Sequence, residues 1–556
     1  MLGIAWQSWQ VQVGKGSFLR NQGELRYQRQ LPVPTPARAS IYDRYGQALA
    51  VSVPTTTLWV EPAIFTKHRD QWSRLEGVLG MDARRINERI AHGGSAFAYL
   101  DRQLDPGTAE RAMALRVPGL HPVQEYRRFY PMGEVTGPLL GFTNVDGKGS
   151  EGLELAYDHA LRSWAGRQEV LRDNRGQSLQ VSTRRPSRLG QDLYLTIDSR
   201  LQYVTYRALA AAVQGFAARS GSAVLLDTQT GAILAMVSYP ANNPNDRDHY
   251  NPGIASNRAI THAFEPGSVM KPFAVAAGLD SGHVQAQQRF AVDTNCFRVG
   301  SYCIRDDVRH GTLSIGEILK YSSNIGAAKI ALATPAKDLY GLLQKLGFGG
   351  NSLGLPGETS GRLPDWHQWS PASHAAMAYG YGISVNTLQL AAAYGAIAHD
   401  GVYVPPHLIL GQRLAGTRVM SSATAAHLRN WLAGVVAPGG TGFLAAIPGY
   451  SVAGKTGTAA MADGKGGFHH HQVNTTFVGF APVTHPRYVM AVTVRDPTRG
   501  WRYGGVVAAP VFRVSMAEAL RLGQVAPDRD LSPTGLEKIS ALQQQRWAEG
   551  GGDAVH

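Results

Sequence analysis

The stretch Phe264-Glu265-Pro266-Gly267-Ser268-Val269-Met270-Lys271 is the most informative part of this chain, because a serine and a lysine three residues apart lead into an apolar run. The run continues to Leu279 and predicts a buried helix with Ser268 in its first turn. Pro272 is compatible with that turn, since the first N–H groups of a helix have no helical partner. Ser268 and Lys271 would then lie on one face. A desolvated lysine can take the proton of a serine hydroxyl, so the pattern indicates a nucleophilic serine.

Two further motifs follow in the order that a serine acyl-transfer site requires. In the first, Ser322-Ser323-Asn324, we expect Ser322 to relay a proton between Lys271 and the leaving group. We expect the Asn324 amide to hold a substrate carbonyl and a lysine. A helix N-cap is the alternative for this motif. The second, Lys455-Thr456-Gly457-Thr458, is predicted on an edge strand from Val452 to Ala460.

The edge strand suits an extended peptide substrate, which can add to it by backbone hydrogen bonding. Gly457 would let the ligand approach the backbone. Lys455 is the expected second cation, and with the Thr456 and Thr458 hydroxyls it suits a substrate carboxylate. The backbone N–H groups of Ser268 and Thr458 are the expected oxyanion hole.

The composition describes a folded, basic protein. Its 556 residues suggest two or three domains, and a hydrophobic content of 44% with 17% charged residues excludes a disordered chain. The net charge of +13 suggests an anionic environment, for which membrane phospholipid, cell-wall polymer and nucleic acid all qualify, and a generally basic surface is the alternative. We expect His469-His470-His471 to be a solvated loop. No P-loop, no dinucleotide fingerprint and no H-E-x-x-H motif occurs in the sequence.

The chain has two cysteines, Cys296 and Cys303. Val299-Gly300-Ser301 between them predicts a hairpin turn. Cysteines on facing hairpin strands can form a disulfide in an oxidising compartment, and a pair of free buried thiols is the alternative.

Four regions are predicted along the chain. Residues 1–38 combine the apolar segment Met1–Val13 with a basic, Pro-rich linker. That segment is shorter than the roughly 20 residues that span a bilayer, so we expect the outer end of a membrane helix whose beginning is missing, or a soluble amphipathic N-terminus. Residues 39–186 form a first domain without a catalytic constellation, residues 187–525 form the catalytic domain, and residues 526–556 form a flexible tail with one possible helix.

The catalytic domain is predicted to be α+β, with an antiparallel sheet flanked by helices. A short strand at 193–197 and a helix at 200–213 open it. Strands at both ends with helices between them imply a sheet closed by distant segments. The predicted sheet strands are 222–227, 232–238, 475–481 and 488–495.

With these motifs the chain resembles the class B penicillin-binding proteins, and within them the division-specific penicillin-binding protein 3 branch. The resemblance extends to about Gly523. It implies an α+β, multidomain fold in which an elongated non-catalytic α+β pedestal precedes a penicillin-binding transpeptidase domain. Phe-Thr-Asn at 142–144 favours the septal branch over the elongation branch. The first-domain stretches that carry the resemblance are Arg38–Gly46, Arg127–Asp146, Gly149–Glu154 and Asp173–Gly176.

The resemblance implies a serine-type D-Ala-D-Ala transpeptidase that cross-links peptidoglycan during septum formation. Ser268, deprotonated by Lys271, would attack a stem pentapeptide, and an amine of a neighbouring stem would resolve the acyl-enzyme. β-Lactams would acylate the same serine, and the resemblance implies that no metal or organic cofactor is needed. The implied partners are stem pentapeptides, β-lactams, a membrane glycan polymerase and other divisome proteins, and no nucleic acid. The implied location is the bacterial inner membrane, with a single N-terminal helix and a periplasmic catalytic domain.

Two other classes of function share the three motifs. A D,D-carboxypeptidase or β-lactamase-type hydrolase needs a positioned water, and the sequence identifies no carboxylate to activate one. A non-enzymatic β-lactam sensor or divisome scaffold can keep the serine without the transfer reaction. The large first domain and the whole-chain resemblance favour transfer.

Overall fold

The computed structural model describes residues 28–32, 36–94, 97–172, 178–462 and 468–529. The predicted membrane-proximal segment Met1–Val13, the Asp173–Gly176 motif and the tail helix expected at Pro533–Trp547 lie outside the described residues, as do the side chains of His469, His470 and His471. No helix within the described ranges is long and apolar enough to cross a membrane.

The first domain is built around one long strand, β3, which pairs with β2, β4 and β5. A separate sheet has the order β1-β6-β7. The strands are β1 (Gln28–Pro32), β2 (Ile41–Tyr42), β3 (Ala48–Val60), β4 (Ala98–Leu104), β5 (Leu120–Phe129), β6 (Arg167–Arg172), β7 (Ser178–Arg185) and β8 (Leu193–Tyr194).

Helices cover the sheet that contains β3. Together they enclose a small hydrophobic core that belongs to the first domain. Asp82 and Asp105 begin two of them, since each carboxylate accepts a backbone N–H three residues on. Leu58, Trp72 and Ile86 are among the buried core residues. The helices are α1 (Pro62–Phe65), α2 (Trp72–Leu79), α3 (Ala83–Ala91), α4 (Pro106–Ala114), α5 (Gly137–Leu140), α6 (Gly152–Ala156) and α7 (Asp158–Leu161).

The catalytic domain has a five-stranded antiparallel sheet of order β10-β9-β19-β18-β17. Its first two strands are followed by more than two hundred residues of helices and small hairpins before the last three strands close it. The predicted α+β sheet closed by distant segments is therefore confirmed. The strands are β9 (Ser220–Asp227), β10 (Ile233–Tyr239), β11 (Arg289–Ala291), β12 (Phe297–Val299), β13 (Tyr302–Ile304), β14 (Thr312–Ser314), β15 (Val402–Tyr403), β16 (Thr417–Arg418), β17 (Ala453–Ala462), β18 (Phe468–Ala481) and β19 (Tyr488–Arg495).

Helices lie on both faces of this sheet. The first and last helices, α8 and α19, pack together on one face, and α16 packs on the other with α11 and α13 beyond it. Residues Lys271–Gly278 of α11 are all buried, as a helix with apolar residues all round requires. The helices are α8 (Ser199–Gly215), α9 (Pro252–Ala255), α10 (Arg258–Thr261), α11 (Lys271–Asp280), α12 (Ile315–Tyr321), α13 (Asn324–Ala333), α14 (Ala336–Lys345), α15 (Pro371–Ala378), α16 (Thr387–Ala398), α17 (Ser422–Val436), α18 (Gly504–Val507) and α19 (Ala509–Leu522).

One predicted strand belongs to a different sheet. The strand expected at 193–197 is limited to β8, and it pairs in parallel with β2 of the first domain. The predicted strand is therefore confirmed for its first two residues, but its partner was not foreseen, because β2 lies about 150 residues away and no local pattern identifies it. The pairing joins the two domains through their backbones.

Candidate active site

Ser268 lies in a short 3-10 turn, Gly267–Met270, that leads directly into α11. Two glycines allow this turn to pack against β17. A Cβ atom on Gly267, whose φ is +64°, would lie 3.1 Å from the Cβ atom of Ala459. A Cβ atom on Gly457 would lie 2.8 Å from the carbonyl oxygen of Pro266. The nucleophile turn therefore rests on the K-T-G strand, and Ser268 lines the cleft between them.

The lysines of the first and third motifs are fully buried and are joined through Ser322. Lys271 Nζ donates to Ser322 Oγ over 3.1 Å and to Asn324 Oδ1 over 2.8 Å, and it also donates to the Ser322 carbonyl oxygen. Lys455 Nζ donates to the same Ser322 Oγ over 2.9 Å. The structure thus brings the three predicted motifs together around one hydroxyl.

Burial lowers the pKa of both lysines. Loss of hydration lowers the pKa of Lys271 to about 7, although the carboxylates of Asp306 and Asp307 act in the opposite direction. Burial, reinforced by the charge of Lys271, lowers the pKa of Lys455 well below its ordinary value. The pair therefore does not hold two full charges near neutral pH, and Ser322 Oγ offers a path for a proton between them.

Lys271 does not contact the nucleophile directly in this structure. The hydrogen bonds of its Nζ atom to described residues go to Ser322 and Asn324, and none reaches Ser268. Hydrogen bonds in ligand-free catalytic sites often tighten only when substrate binds. The role of Lys271 as the base for Ser268 stays a prediction, and it requires Nζ to lose a proton and to accept a hydrogen bond from the Ser268 hydroxyl.

The second motif forms a sharp turn between two helices. Ser322 ends α12 with a φ of +62°, a left-handed conformation that costs a residue other than glycine on the order of 1 kcal/mol. Ser323 begins α13, since its Oγ accepts the N–H of Gly326 over 2.9 Å. The N-cap interpretation therefore applies to Ser323, while Ser322 is turned towards the two lysines.

The third motif lies on β17, which is the edge of the sheet. Thr456 Oγ1 donates to Thr441 Oγ1 over 2.9 Å, and Thr458 Oγ1 accepts the N–H of Gly504 over 3.3 Å. The two backbone segments that carry the predicted oxyanion donors pass close to each other, because a Cβ on Gly267, next to Ser268, would be 3.3 Å from the Thr458 carbonyl oxygen. Their role in an oxyanion hole stays a prediction.

A cleft of about 770 Å³ lies over Ser268. The motif side chains Ser322, Asn324, Thr456 and Thr458 line it, whereas Lys271 and Lys455 lie behind them. Seven aromatic residues form much of its wall, and such walls give a ligand apolar contact area with a polar rim. These residues are Phe216, Tyr321, Tyr379, Tyr381, Phe443, Trp501 and Tyr503.

Several residues at the site were missed by sequence reasoning. Thr441 and Gly504 contact the hydroxyls of the K-T-G-T motif from distant segments. Asp306 accepts hydrogen bonds from the second motif. Cys296 and Cys303, by contrast, were predicted to pair, and they are joined as a disulfide across the β12–β13 hairpin, with Cα atoms 5.3 Å apart. The Tyr503-Gly504-Gly505 run was the signal that could have drawn attention to one of these segments.

Comparison with known proteins identifies the family. The penicillin-binding protein transpeptidase domain matches residues 221–517, and the penicillin-binding protein dimerisation domain matches residues 34–195. The chain is 40% identical to the probable peptidoglycan D,D-transpeptidase PbpC of Pseudomonas aeruginosa, over 93% of this chain and 92% of that protein. It is 37% identical to peptidoglycan D,D-transpeptidase FtsI of Escherichia coli, over 94% and 89% of the two chains.

A solved structure agrees with this assignment. Penicillin-binding protein 3 of Mycobacterium tuberculosis, in complex with aztreonam, superposes with a TM-score of 0.70 at 27% identity, over 90% of this chain and 99% of that one. The chain belongs to the penicillin-binding protein transpeptidase family. The predicted family, two-domain fold and class of enzyme are confirmed, whereas the domain boundaries and the roles of individual site residues stay predictions.

Proposed function

We propose that this chain is a peptidoglycan D,D-transpeptidase that cross-links stem peptides in septal wall through an acyl-enzyme on Ser268. The observation that carries the proposal is the Lys271–Ser322–Lys455 network, which lies behind Ser268 in a cleft walled by an unpaired strand edge. Relatives over most of the chain bear the name peptidoglycan D,D-transpeptidase, and FtsI among them supports the septal assignment.

Substrate binding prepares the base. A stem peptide pairs with the edge of β17, and its terminal carboxylate lies near Thr456 and Thr458. The negative charge raises the pKa of Lys455, because an opposite charge favours the protonated form. A proton then passes from Lys271 through Ser322 to Lys455, which leaves Lys271 neutral.

Acylation and transfer follow from this charge arrangement. Ser268 Oγ attacks the carbonyl carbon of the penultimate D-Ala while its proton goes to Lys271, and the N–H groups of Ser268 and Thr458 stabilise the oxyanion. The amide bond breaks, and the D-Ala amine takes a proton from Ser322, which Lys271 replaces. An amine of a second stem then attacks the ester carbonyl, its proton returns through the same network, and Ser268 is released with a new cross-link.

The same site would bind β-lactams and leave a slow acyl-enzyme, as the complex of the mycobacterial relative with aztreonam suggests. We propose a periplasmic catalytic domain anchored to the inner membrane through the N-terminal region. A membrane glycan polymerase and other divisome proteins would then contact that region and the pedestal. These assignments are supported by the family and by the basic charge of the chain.

Mass spectrometry of the intact protein with benzylpenicillin tests the proposal. We expect one adduct on Ser268, slow loss of that adduct, and no adduct on Ser268→Ala. Cross-linked product from pentapeptide donors and an amine acceptor then separates transfer from hydrolysis. Rapid turnover of penicillin, or release of D-Ala without cross-links, would identify a hydrolase; a stable adduct without any reaction of peptide would identify a sensor.

A further inference from the structure

The carboxylate of Asp306 accepts hydrogen bonds from three consecutive residues of the second motif and helix α13. Its Oδ1 accepts the backbone N–H groups of Asn324 and Ile325, the latter over 2.9 Å, and its Oδ2 accepts the hydroxyl of Ser323. First-turn N–H groups have no partner within their own helix, and a negative charge there is stabilised by the helix dipole. Asp306 therefore caps α13 from outside the helix, sixteen residues before Ser322.

The residue next to it holds the side chain of Asn324. The Asn324 amide nitrogen donates to the Arg305 carbonyl oxygen over 3.0 Å, while its Oδ1 accepts from Lys271 over 2.8 Å. These two bonds fix which way the amide points. Asn324 also lines the cleft, and an amide nitrogen carries a second N–H that a substrate carbonyl can accept. Arg305 thus holds the side-chain amide, and Asp306 the backbone N–H, of the residue expected to hold substrate.

A closed hairpin presents these two residues. The disulfide joins Cys296 to Cys303, three residues before Asp306, and β12 pairs with β13 between them. Ile304 and Val299 are buried in the main core. The ring of Phe297 lies 5.1 Å from Lys329 Nζ on α13, so the hairpin contacts that helix a second time.

We propose that Asp306 is a positioning residue for acyl transfer and that the Cys296–Cys303 hairpin holds it against the second motif. The inference rests on the proposed function, since it concerns acylation of Ser268. Without the Asp306 carboxylate, the turn that aims Ser322 at both lysines loses its external support. Without the disulfide, the segment that carries Asp306 gains conformational freedom, and the motif is held less closely.

The test measures the second-order rate constant for acylation of the full chain by fluorescent penicillin as a function of pH. We expect Asp306→Ala to lower the constant by about a hundredfold, the effect of misplacing a reacting group by about 1 Å. Asp306→Asn should lower it by about tenfold, because a charge-assisted hydrogen bond is roughly twice as strong as a neutral one. Asp293→Asn, an exposed carboxylate next to the same hairpin without contacts to the motif, should leave it unchanged.

The pH profile separates positioning from general damage to the fold. The negative charge of Asp306 favours protonated Lys271, so Asp306→Asn should also move the acid limb of the profile to lower pH. Asp307→Asn removes a similar negative charge and should also move the acid limb to lower pH. Its plateau rate constant should fall less than that of Asp306→Asn. If Asp306→Ala does not fold, the asparagine variant alone decides. A plateau and a limb identical to those of the unaltered chain would overturn the proposal.

The disulfide is tested on the same assay. Reduction with dithiothreitol should add two hydrogens to the mass and slow acylation by up to the factor seen for Asp306→Asn. The double variant Cys296→Ser/Cys303→Ser should be slow with and without reductant. An unchanged mass, or an unchanged rate after the mass has shifted, would overturn the role of the hairpin. Failure of the unaltered chain to form any adduct would instead overturn the proposed function.

Discussion

Glu154 holds two arginine side chains in a part of the pedestal that water does not reach. Its exposed fraction is 0%, against 6% for Arg38 and 2% for Arg128, and the Nε atom of each arginine donates to one carboxylate oxygen over 2.7 Å. Arg38 ends the predicted linker region, whereas Arg128 lies on β5. Glu154 therefore fastens the segment that enters the pedestal to its central sheet.

Replacing Glu154 by Gln should destabilise the pedestal by about 3 kcal/mol. Removal of one partner from a buried ion pair costs about 3–5 kcal/mol, because the remaining charge is left uncompensated. Arg38 keeps the Asp158 carboxylate at 2.6 Å, so Arg128 alone loses its partner and the lower end of that range applies. Glutamine has nearly the same shape as glutamate, but its amide nitrogen is a hydrogen-bond donor and cannot accept from an arginine. The similar shape therefore does not restore the lost interaction.

Native-state hydrogen exchange of the β3 amides measures this change, since these amides exchange when the pedestal unfolds. The matched control is Glu88→Gln. Glu88 is 53% exposed and its partner Arg84 is 84% exposed, so their ion pair should contribute less than about 0.5 kcal/mol to stability. Acylation of Ser268 at low temperature should be unchanged in both variants. A loss below about 1 kcal/mol for Glu154→Gln would refute the reasoning from burial.

Three further predictions concern the active site. Acylation should rise with pH through about 7 and fall below it, because Lys271 must be neutral to act as a base; a flat rate between pH 6 and 8 would contradict that role. Lys455→Met should lower acylation by about a hundredfold by removing the second donor to Ser322, and labelling with fluorescent penicillin would show whether it does. Gly267→Ala places a Cβ 3.1 Å from the Cβ of Ala459 and should slow acylation by about tenfold. The control is Gly282→Ala, which also has a positive φ of +73° but no atom within 4 Å of the new Cβ, and it should not slow acylation. Equal rates for the two variants would show that the close approach to β17 is unimportant.

Local patterns predicted the sheet of the catalytic domain well. The β9–β10 hairpin and the closing strands β18 and β19 follow from apolar runs bounded by turn residues, and their burial on both faces matches those runs. The pairing of β8 with β2 was not predictable, because two residues carry no periodicity. Such a contact is set by the packing of whole domains rather than by the residues that form it.

The motif residues could be predicted, but not the residues that hold them. Ser322 adopts a left-handed conformation that its sequence neighbours do not suggest, and Asp306, which supports that turn, carries no motif of its own. Asp306 lies sixteen residues before Ser322 in the sequence. Its carboxylate can cap α13 only because the fold brings it back to the start of that helix. Sequence therefore identifies the chemical groups of this site more readily than the geometry that orients them.

The distribution of charge between the lysines shows the same limit. The sequence suggested a neutral Lys271 beside a cationic Lys455, yet burial lowers the pKa of both lysines, while the carboxylates of Asp306 and Asp307 favour the protonated form of Lys271. Burial thus disfavours the charged form of Lys455 as well as that of Lys271, which the identity of the residues alone could not reveal. We expect a substrate carboxylate near Lys455 to favour its protonated form. A proton passing through Ser322 would then leave Lys271 neutral when a peptide with a free carboxyl terminus occupies the cleft.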